Sequence, residues 1–551
     1  MSDGGDVMQR QIKADTIWLV AIFLISALPY VFGLGFYTDD WDFFAHYQAA
    51  LDGSTFDFVR AGLFYPALAR PLQGLEFAWL YKMFGLNPLP YHLINLAVLA
   101  ACMALLHRLL IRIGFDRAIA FALTLAFLLL PQHSTMRVWM STFQVGFSLL
   151  FTLVAILADL RWERTGRTRW KIASLVSGAL VLAFYEIFAP IILLGAALVG
   201  WRRWRSGVPM LRAVLPQIAN VVVVGAAIVL KGQVSARATP LDMMFFRTLV
   251  GHFIDLHHDW RVDHGINLIA LFTVHFGDTV AGPFRSIATM AGEGRLIAPL
   301  AAALAIGGLA GWRLSRTAPA WPARPWMFAL GGVALMFAGY GTFLMSGAVN
   351  ISPAGVANRT AGAAALGIAL TLVAVAGMFA ERVPAQRRAA AFAGLIAIMA
   401  VLATIRIADI GHYWTTAAAR QWQLLDKAKV QLAGVPAGDM VIIDGVCPYI
   451  GPGIVFETYW DSSSALGLTL GRPIRADVVT DRLTWGDRQV ETITYSLAND
   501  MPYGPKLSVW NPDRGWLVPL PDAAAARAYR SRPDRYVAAC PVGYLNHGVP
   551  I

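Results

Sequence analysis

The chain has 551 residues, of which 57% are hydrophobic and only 14% charged, with a mean hydropathy of +0.55. A soluble core of this length does not need so much apolar surface, so the composition excludes an ordinary globular enzyme and requires a polytopic membrane protein. The formal charge of +11 does not mark a nucleic-acid binder, because most basic residues fall in short loops between apolar runs, which is the positive-inside pattern.

A membrane-spanning helix needs about 20 apolar residues. Such spans are expected at 16–36, 91–111, 118–136, 143–160, 172–189, 190–201, 213–231, 295–312, 326–346, 360–380 and 389–410, eleven in all. Arg10 and Lys13 precede the first run, which is long and has no small-residue cleavage site after it. An uncleaved span is therefore expected rather than a signal peptide. By this count, five basic loops fall on the side of the N-terminus. They carry Arg108, Arg112 and Arg117; Arg161, Arg164, Arg167, Arg169 and Lys171; Arg202, Arg203, Arg205 and Arg212; Arg313, Arg316 and Arg324; and Arg382, Arg387 and Arg388. That side is expected to be the cytoplasm. The protein is then integral to the inner membrane, with its C-terminal part in the periplasm. Pro190 divides 172–201 into a tight hairpin. The apolar stretch 265–290 holds His275, Asp278, Pro283 and Arg285. Parity makes it a re-entrant or interfacial helix within a long outer loop, 232–294.

The first outer loop, 37–90, opens on Asp39, Asp40 and Asp42, with Phe36, Tyr37, Trp41, Phe43 and Phe44 around them. Carboxylates do not stay cheaply in hydrocarbon, and aromatic rings collect at the interface, so this stretch lies at a membrane surface. Two roles fit the acid pair. One carboxylate acts as a general base on an acceptor hydroxyl. Alternatively, Thr38 or Asp39 caps a helix starting near Trp41 and the acids complement its dipole. Farther along the loop, 63–68 and 75–84 read as short amphipathic helices on the membrane. His92 and Asn95 share one helix face at i, i+3 and suit a polar latch to the first loop. Glu186 is an ionisable group near the outer end of a span, a functional candidate unless it pairs with Arg137.

His252, Asp255, His257, His258 and Asp259 suit a solvated helix of mixed charge better than a metal site. The chain has no Gly-rich phosphate loop, H-E-x-x-H or C-x-x-C, which argues against nucleotide-driven chemistry. No metal site is assigned and no cofactor is called for; participation of a divalent metal stays open. Beyond Arg406 the composition turns polar. Residues 411–551 are expected to form a small α/β or α+β domain outside the membrane, with a helix at 415–432 and strands at 440–444, 490–495 and 507–510. Cys447 and Cys540 have an oxidising compartment in which to pair. Cys102, inside an apolar run, reads as an inert thiol.

Three motifs fall in order over about seventy residues: Asp39-Asp40, then Arg70-Pro71-Leu72, then Tyr91-His92 with Asn95. This order and spacing resemble the membrane domain of the transmembrane-and-tetratricopeptide O-mannosyltransferases and their bacterial relatives in the GT-C glycosyltransferase class. Two later segments are similar with losses. Tyr185-Glu186 and Pro190 keep the Glu and Pro of a family Lys-Glu motif without its Lys, and Asn358-Arg359-Thr360 keeps the Arg of a Glu-Arg-Tyr-like motif without its aromatics. No 34-residue repeat follows. The resemblance covers roughly 16–410 and says nothing of 411–551.

The resemblance implies a polytopic α-helical GT-C-like fold of about eleven transmembrane helices, 1–410, followed by the domain at 411–551. It implies a glycosyltransferase moving a sugar from a polyprenyl-phosphate donor to a hydroxyl of a glycan, lipid or protein acceptor, with inversion. Asp39 or Asp40 would be the base, and Arg70 and Arg359 would bind the donor phosphate, as guanidinium forks suit phosphate oxygens. Glu186, His92 and Asn95 would support the site. Membrane lipids are partners; nucleic acid is not. A transporter or lipid flippase, or a non-catalytic polysaccharide-assembly protein, would share the polytopic pattern. Acids at span ends and the lack of matching halves count against a transporter.

Overall fold

The computed structural model describes residues 3–51, 53–63, 70–238, 265–317, 319–346, 352–480, 482–494 and 497–532. In chain order the helices are α1 (Asp3–Ala27), α2 (Asp39–Gln48), α3 (Thr55–Gly62), α4 (Pro71–Phe84), α5 (Pro88–Ile113), α6 (Arg117–Leu129) and the single turn α7 (Thr135–Val138). There follow α8 (Phe143–Thr165), α9 (Thr168–Phe184), α10 (Ala189–Arg205), α11 (Met210–Ala238), α12 (Gly265–Gly292), α13 (Ile297–Ser315), α14 (Pro325–Ser346), α15 (Ala364–Glu381) and α16 (Arg388–Gln431). Each expected span coincides with one of these helices. Among the described residues seven helices are long and apolar enough to cross a membrane, while Arg117–Leu129 and Pro325–Gly341 are shorter apolar helices.

The first helix ends earlier than the run 16–36. The helix stops at Ala27, because Pro29 offers no N–H and disfavours helical geometry in the residue before it. The chain from 28 to 38 is thereby freed to carry the acid pair across the end of the bundle. The 75–84 helix forms as part of α4, whereas 64–68 lies outside the described residues. The hairpin at Pro190 is formed by α9 and α10, joined by a 3-10 turn, Glu186–Phe188.

Ion pairs gather the basic loops at one end. Asp15 is buried and pairs with Arg117 and, at 2.6 Å, with Arg313. The Arg112 carbonyl accepts from Arg164 and Arg202, each at 3.5 Å. Helices α1, α5, α6, α8, α10 and α13 therefore bring their arginines together, opposite the end that carries α2. In α12, Asp278 lies 3.2 Å from Arg406 and Ser286 donates to Asp409 at 2.7 Å. Two positions eight residues apart thus reach one turn of α16. The histidine-rich part of that loop, with His252, Asp255, His257, His258 and Asp259, lies outside the described residues.

Helices α14 and α15 pack closely through glycine. A side chain on Gly339 would overlap the Ala364 backbone, and one on Gly367 would overlap the Met336 backbone. Small residues at such a contact let helices gain dispersion where lipid offers no hydrophobic drive.

The composition change at 411 has no counterpart in the backbone. Helix α16 is continuous for 44 residues, about 66 Å at 1.5 Å per residue. It leaves the bundle and becomes one face of the C-terminal domain, where Trp414, Gln421, Leu424 and Ala428 are buried. The domain contains β1 (Met440–Ile443), β2 (Tyr449–Ile450), β3 (Gly453–Ile454), helix α17 (Tyr459–Leu470), β4 (Arg475–Val478), β5 (Leu483–Trp485), β6 (Gln489–Thr494), β7 (Leu497–Pro502), β8 (Leu507–Asn511), β9 (Trp516–Pro519) and helix α18 (Ala523–Arg530). The main sheet has order β4-β1-β8-β9, with β1 parallel to both neighbours. An all-apolar β1 suits that central place, buried on both faces. The expected strands at 440–444, 490–495 and 507–510 correspond to β1, β6 and β8. Cys540 lies outside the described residues, and so does its pairing with Cys447. Cys102 is buried.

Replacing Asp15 with Ala leaves two guanidinium groups without their acid. Breaking a buried pair in this way costs about 3–5 kcal/mol. The expected result is a clearly lower unfolding temperature in detergent for Asp15→Ala than for substitutions of the exposed arginines of the same loops.

Candidate active site

The acid pair is placed by a strained turn. Thr38 has φ of 43°, a conformation costly for a β-branched residue. It turns the chain so that Asp39 and Asp40 open α2, with Thr38 in the N-cap position and its side chain uninvolved in capping. The two carboxylates then part company.

Asp40 points inward and is fully buried. One oxygen accepts from the Tyr37 N–H at 2.9 Å; the other accepts from the Ser141 N–H at 2.9 Å and from the Ser141 hydroxyl. Burial pushes its pKa up to about 8, against the pull of the hydrogen bonds from Ser141 and Tyr37. The segment around Ser141 serves as a clasp. Trp139 Nε1 donates to the Tyr37 carbonyl at 3.1 Å, and Gln73 Nε2 donates to the Ser141 carbonyl at 3.3 Å. His92 Nε2 contacts the Gly35 carbonyl at 3.1 Å, and Asn95 Nδ2 donates to the Met136 carbonyl at 2.7 Å. Both side chains are buried. They hold the loop ahead of the acids and the segment ahead of Trp139.

Asp39 points the other way and is half-exposed. Its Oδ1 accepts from Trp460 Nε1 at 3.1 Å. Asp42 Oδ1 accepts from Ser464 at 3.3 Å and lies 3.7 Å from His46. Burial raises the Asp42 pKa; His46 opposes that shift and Asp39 adds to it.

Arg70 stands at the N-terminal end of α4. Its Nη2 is 3.6 Å from Glu186, and its guanidinium lies 4.1 Å from the centre of the Tyr185 ring. Burial works against its charge, but Glu186, Tyr185 and, farther off, Asp39 outweigh it and hold Arg70 protonated. The pairing of Glu186 with Arg137 that the sequence left open does not form, and Arg70 does not pair with the acid on its own helix. Glu76 does not meet Arg70: among the described residues its buried oxygens meet no donor, and burial keeps its pKa well above the usual range. Arg137 does not meet Glu186: it donates to Ser26, Tyr30 and the Leu128 carbonyl at 3.2, 3.0 and 2.7 Å.

Arg359 lies in a 3-10 turn, Val356–Ala361, with its guanidinium 5.3 Å from the centre of the Trp139 ring. Among the described residues no carboxylate pairs with it. The ring beneath it is the one that holds the Tyr37 carbonyl, so Arg359 borders the acid-pair loop. Asp39, Asp40, Arg70, Glu186 and Arg359 are thus gathered at one end of the bundle. Sequence reasoning missed Gln73, Trp139, Ser141, Tyr185, Trp460 and Ser464. Ser141 is 101 positions from Asp40 and Trp460 is 421 from Asp39, so no local spacing signals either. Among the described residues no group of three or more His, Cys, Asp or Glu could hold a metal ion.

No family model and no curated protein matches the chain. Among solved structures it is similar to ArnT from Cupriavidus metallidurans bound to undecaprenyl phosphate, at 15% identity over 86% of each chain with a TM-score of 0.36. It is also similar to the archaeal oligosaccharyltransferase AglB from Archaeoglobus fulgidus, in complex with an inhibitory peptide and a dolichol-phosphate. That match has 14% identity and a TM-score of 0.39, and it covers 84% of this chain and 64% of that one. These superpositions are loose, and the site's own residues carry the functional reading.

Asp40 has a folded pKa above its ordinary value, so its contribution to stability is present below about pH 4 and is lost as pH rises through the folded value near 8. The unfolding temperature of the wild type is therefore expected to fall between about pH 4 and pH 8 more steeply than that of Asp40→Asn. Ser141→Ala removes one hydroxyl from the clasp and is expected to cost about 1–3 kcal/mol, measured by denaturation in detergent.

Proposed function

We propose that the protein is a GT-C-type membrane glycosyltransferase acting at the periplasmic face of the inner membrane. It transfers a sugar from a polyprenyl-phosphate-linked donor to a hydroxyl acceptor. The observation that carries this reading is a half-exposed carboxylate, Asp39, at the same end of the bundle as two guanidinium groups, Arg70 and Arg359, neither of which makes a close pair with a carboxylate among the described residues. Arg70 meets Glu186 only at 3.6 Å, and among the described residues no group accepts from its Nε–H. Arg359 is supported by a ring rather than neutralised by an acid.

Asp39 accepts the proton of the acceptor hydroxyl as its oxygen attacks the anomeric carbon. The bond from that carbon to the phosphate oxygen breaks on the opposite side, so a single displacement inverts the centre. Negative charge grows on the departing phosphate, and Arg70 and Arg359 stabilise it there. Positioning and electrostatics therefore supply most of the acceleration. Asp40, buried and saturated with donors, orients the loop and is not the base. Glu186 and Tyr185 hold Arg70 in place. The arginine-rich end faces the cytoplasm, which leaves α2 and the C-terminal domain on the periplasmic side.

The test is transfer from a labelled polyprenyl-phosphate sugar by the purified full chain. Asp39→Asn is expected to lower kcat by about 10²–10⁴-fold, the usual worth of a general base. Arg359→Ala is expected to weaken donor use, with a higher KM as well as a lower kcat. Normal turnover by Asp39→Asn would rule out Asp39 as the base.

A further inference from the structure

Asp39 receives its hydrogen bond from the C-terminal domain, not from the membrane bundle. That domain is set firmly on α16. Gln421 donates to the Val455 carbonyl at 2.5 Å, and Arg420 and Lys427 both reach Asp513, at 2.5 and 2.6 Å. A side chain on Gly453 would overlap the backbone at Tyr413, so β3 lies directly against the helix.

Within the domain, α17 is fixed at its first turn and along one side. Thr458 and Asp461 form a capping box: the Thr458 hydroxyl accepts from the Asp461 N–H, and the buried Asp461 carboxylate accepts from the Thr458 N–H. Such a box satisfies two end donors at once and sets where the helix begins. Ser462 and Ser463 donate to the Ala476 carbonyl of β4 at 3.1 and 3.0 Å. Trp460 and Ser464, at i and i+4, share another face. That face meets α2, where Trp460 donates to Asp39 and Ser464 to Asp42.

We propose that Trp460 is a positioning residue of the transfer site, an inference that rests on the transferase reading above. The end torsion of an aspartate is broad, so an unheld carboxylate swings. The indole N–H holds Oδ1 and thereby sets the plane of the group, while no described residue donates to Oδ2. Oδ2 is the oxygen that faces the acceptor. The indole nitrogen is a donor only, so it orients the base without competing for the proton. The C-terminal domain is therefore a wall of the site, and its α17 defines the acceptor side of the cleft.

The test uses the full-length protein, with Asp39→Asn as the benchmark for a lost base. Trp460→Phe keeps a ring but loses the N–H; Trp460→His restores a donor. The expected result for Trp460→Phe is a kcat at least about tenfold lower, within the range that small misplacements produce. Donor KM and unfolding temperature are expected to stay unchanged, with most of the loss recovered in Trp460→His. A wild-type kcat in Trp460→Phe overturns the proposal. So does a loss that moves KM and unfolding temperature together and that histidine does not recover. A second pair of variants covers poor folding of the first: Trp460→Gln keeps an N–H donor without the ring and Trp460→Leu has none, so a higher kcat in Trp460→Gln is expected and an equal kcat in both also overturns the proposal. Should the wild type transfer no sugar at all, the transferase reading falls and takes this inference with it. If the wild type is active and Asp39→Asn is not, a normal Trp460→Phe sinks the positioning role alone.

Discussion

The hydrogen bonds between Asp40 and Ser141 organise this end of the molecule. They tie the loop after the first span to the segment before α8, two stretches with no sequence proximity. A buried carboxylate is costly unless every oxygen is met, and Asp40 is met by three donors from these two stretches. The same segment carries Trp139, which supports both the Tyr37 carbonyl and Arg359, and it receives Gln73 from the helix that Arg70 opens. One clasp therefore sets the spacing of an acid and two cations. The neighbouring carboxylate, turned outward by the strained Thr38, keeps partial exposure and meets Trp460 of the C-terminal domain. Adjacent aspartates of identical type thus acquire different surroundings, one buried against three donors and the other half-exposed.

The charges of the bundle are sorted between its two ends. At one, arginines of several loops converge on Asp15 and on a single carbonyl, which satisfies buried donors and draws the helix ends together. At the other, Arg285, Arg295 and Arg406 pair with Asp278 and Asp409, whereas Arg70 and Arg359 rest on rings and Arg70 has an acid only at 3.6 Å. A cation held by an aromatic face keeps its N–H donors available, whereas one in a tight bidentate pair does not. This contrast separates Arg117 and Arg313, held by Asp15, from Arg359, which rests on a ring. The long helix α16 links the two ends and carries the C-terminal domain on its far half, so that domain is part of the site's rigid frame and not a tethered appendage.

Much of this was legible in the residues. Hydrophobic runs marked each membrane helix because a span in lipid must satisfy its own backbone and present apolar side chains over a set length. The positions of β1, β6 and β8 were readable for a similar reason, as short apolar or alternating runs. The candidate acids stood out because carboxylates do not stay cheaply in hydrocarbon, and Arg70 and Arg359 stood out through the motif resemblance. Less legible were the ends of elements. The early stop of α1 depends on Pro29, and the unbroken α16 passes through a change of composition that suggested a boundary. Composition records what surrounds a residue, and one helix can cross from lipid into a protein interface without a break.

Pattern and charge were thus enough for a polytopic helical protein, the places of its apolar helices along the chain, and the residues worth suspecting. They were not enough to tell Asp39 from Asp40, to pair Glu186 with Arg70 instead of Arg137, or to bring Trp460 to the site. Each of those depends on which groups meet across more than a hundred residues of chain. Such meetings are set by helix packing and by the need to satisfy every buried polar atom. That requirement acts on the folded molecule as a whole and leaves no periodic trace in the order of its amino acids.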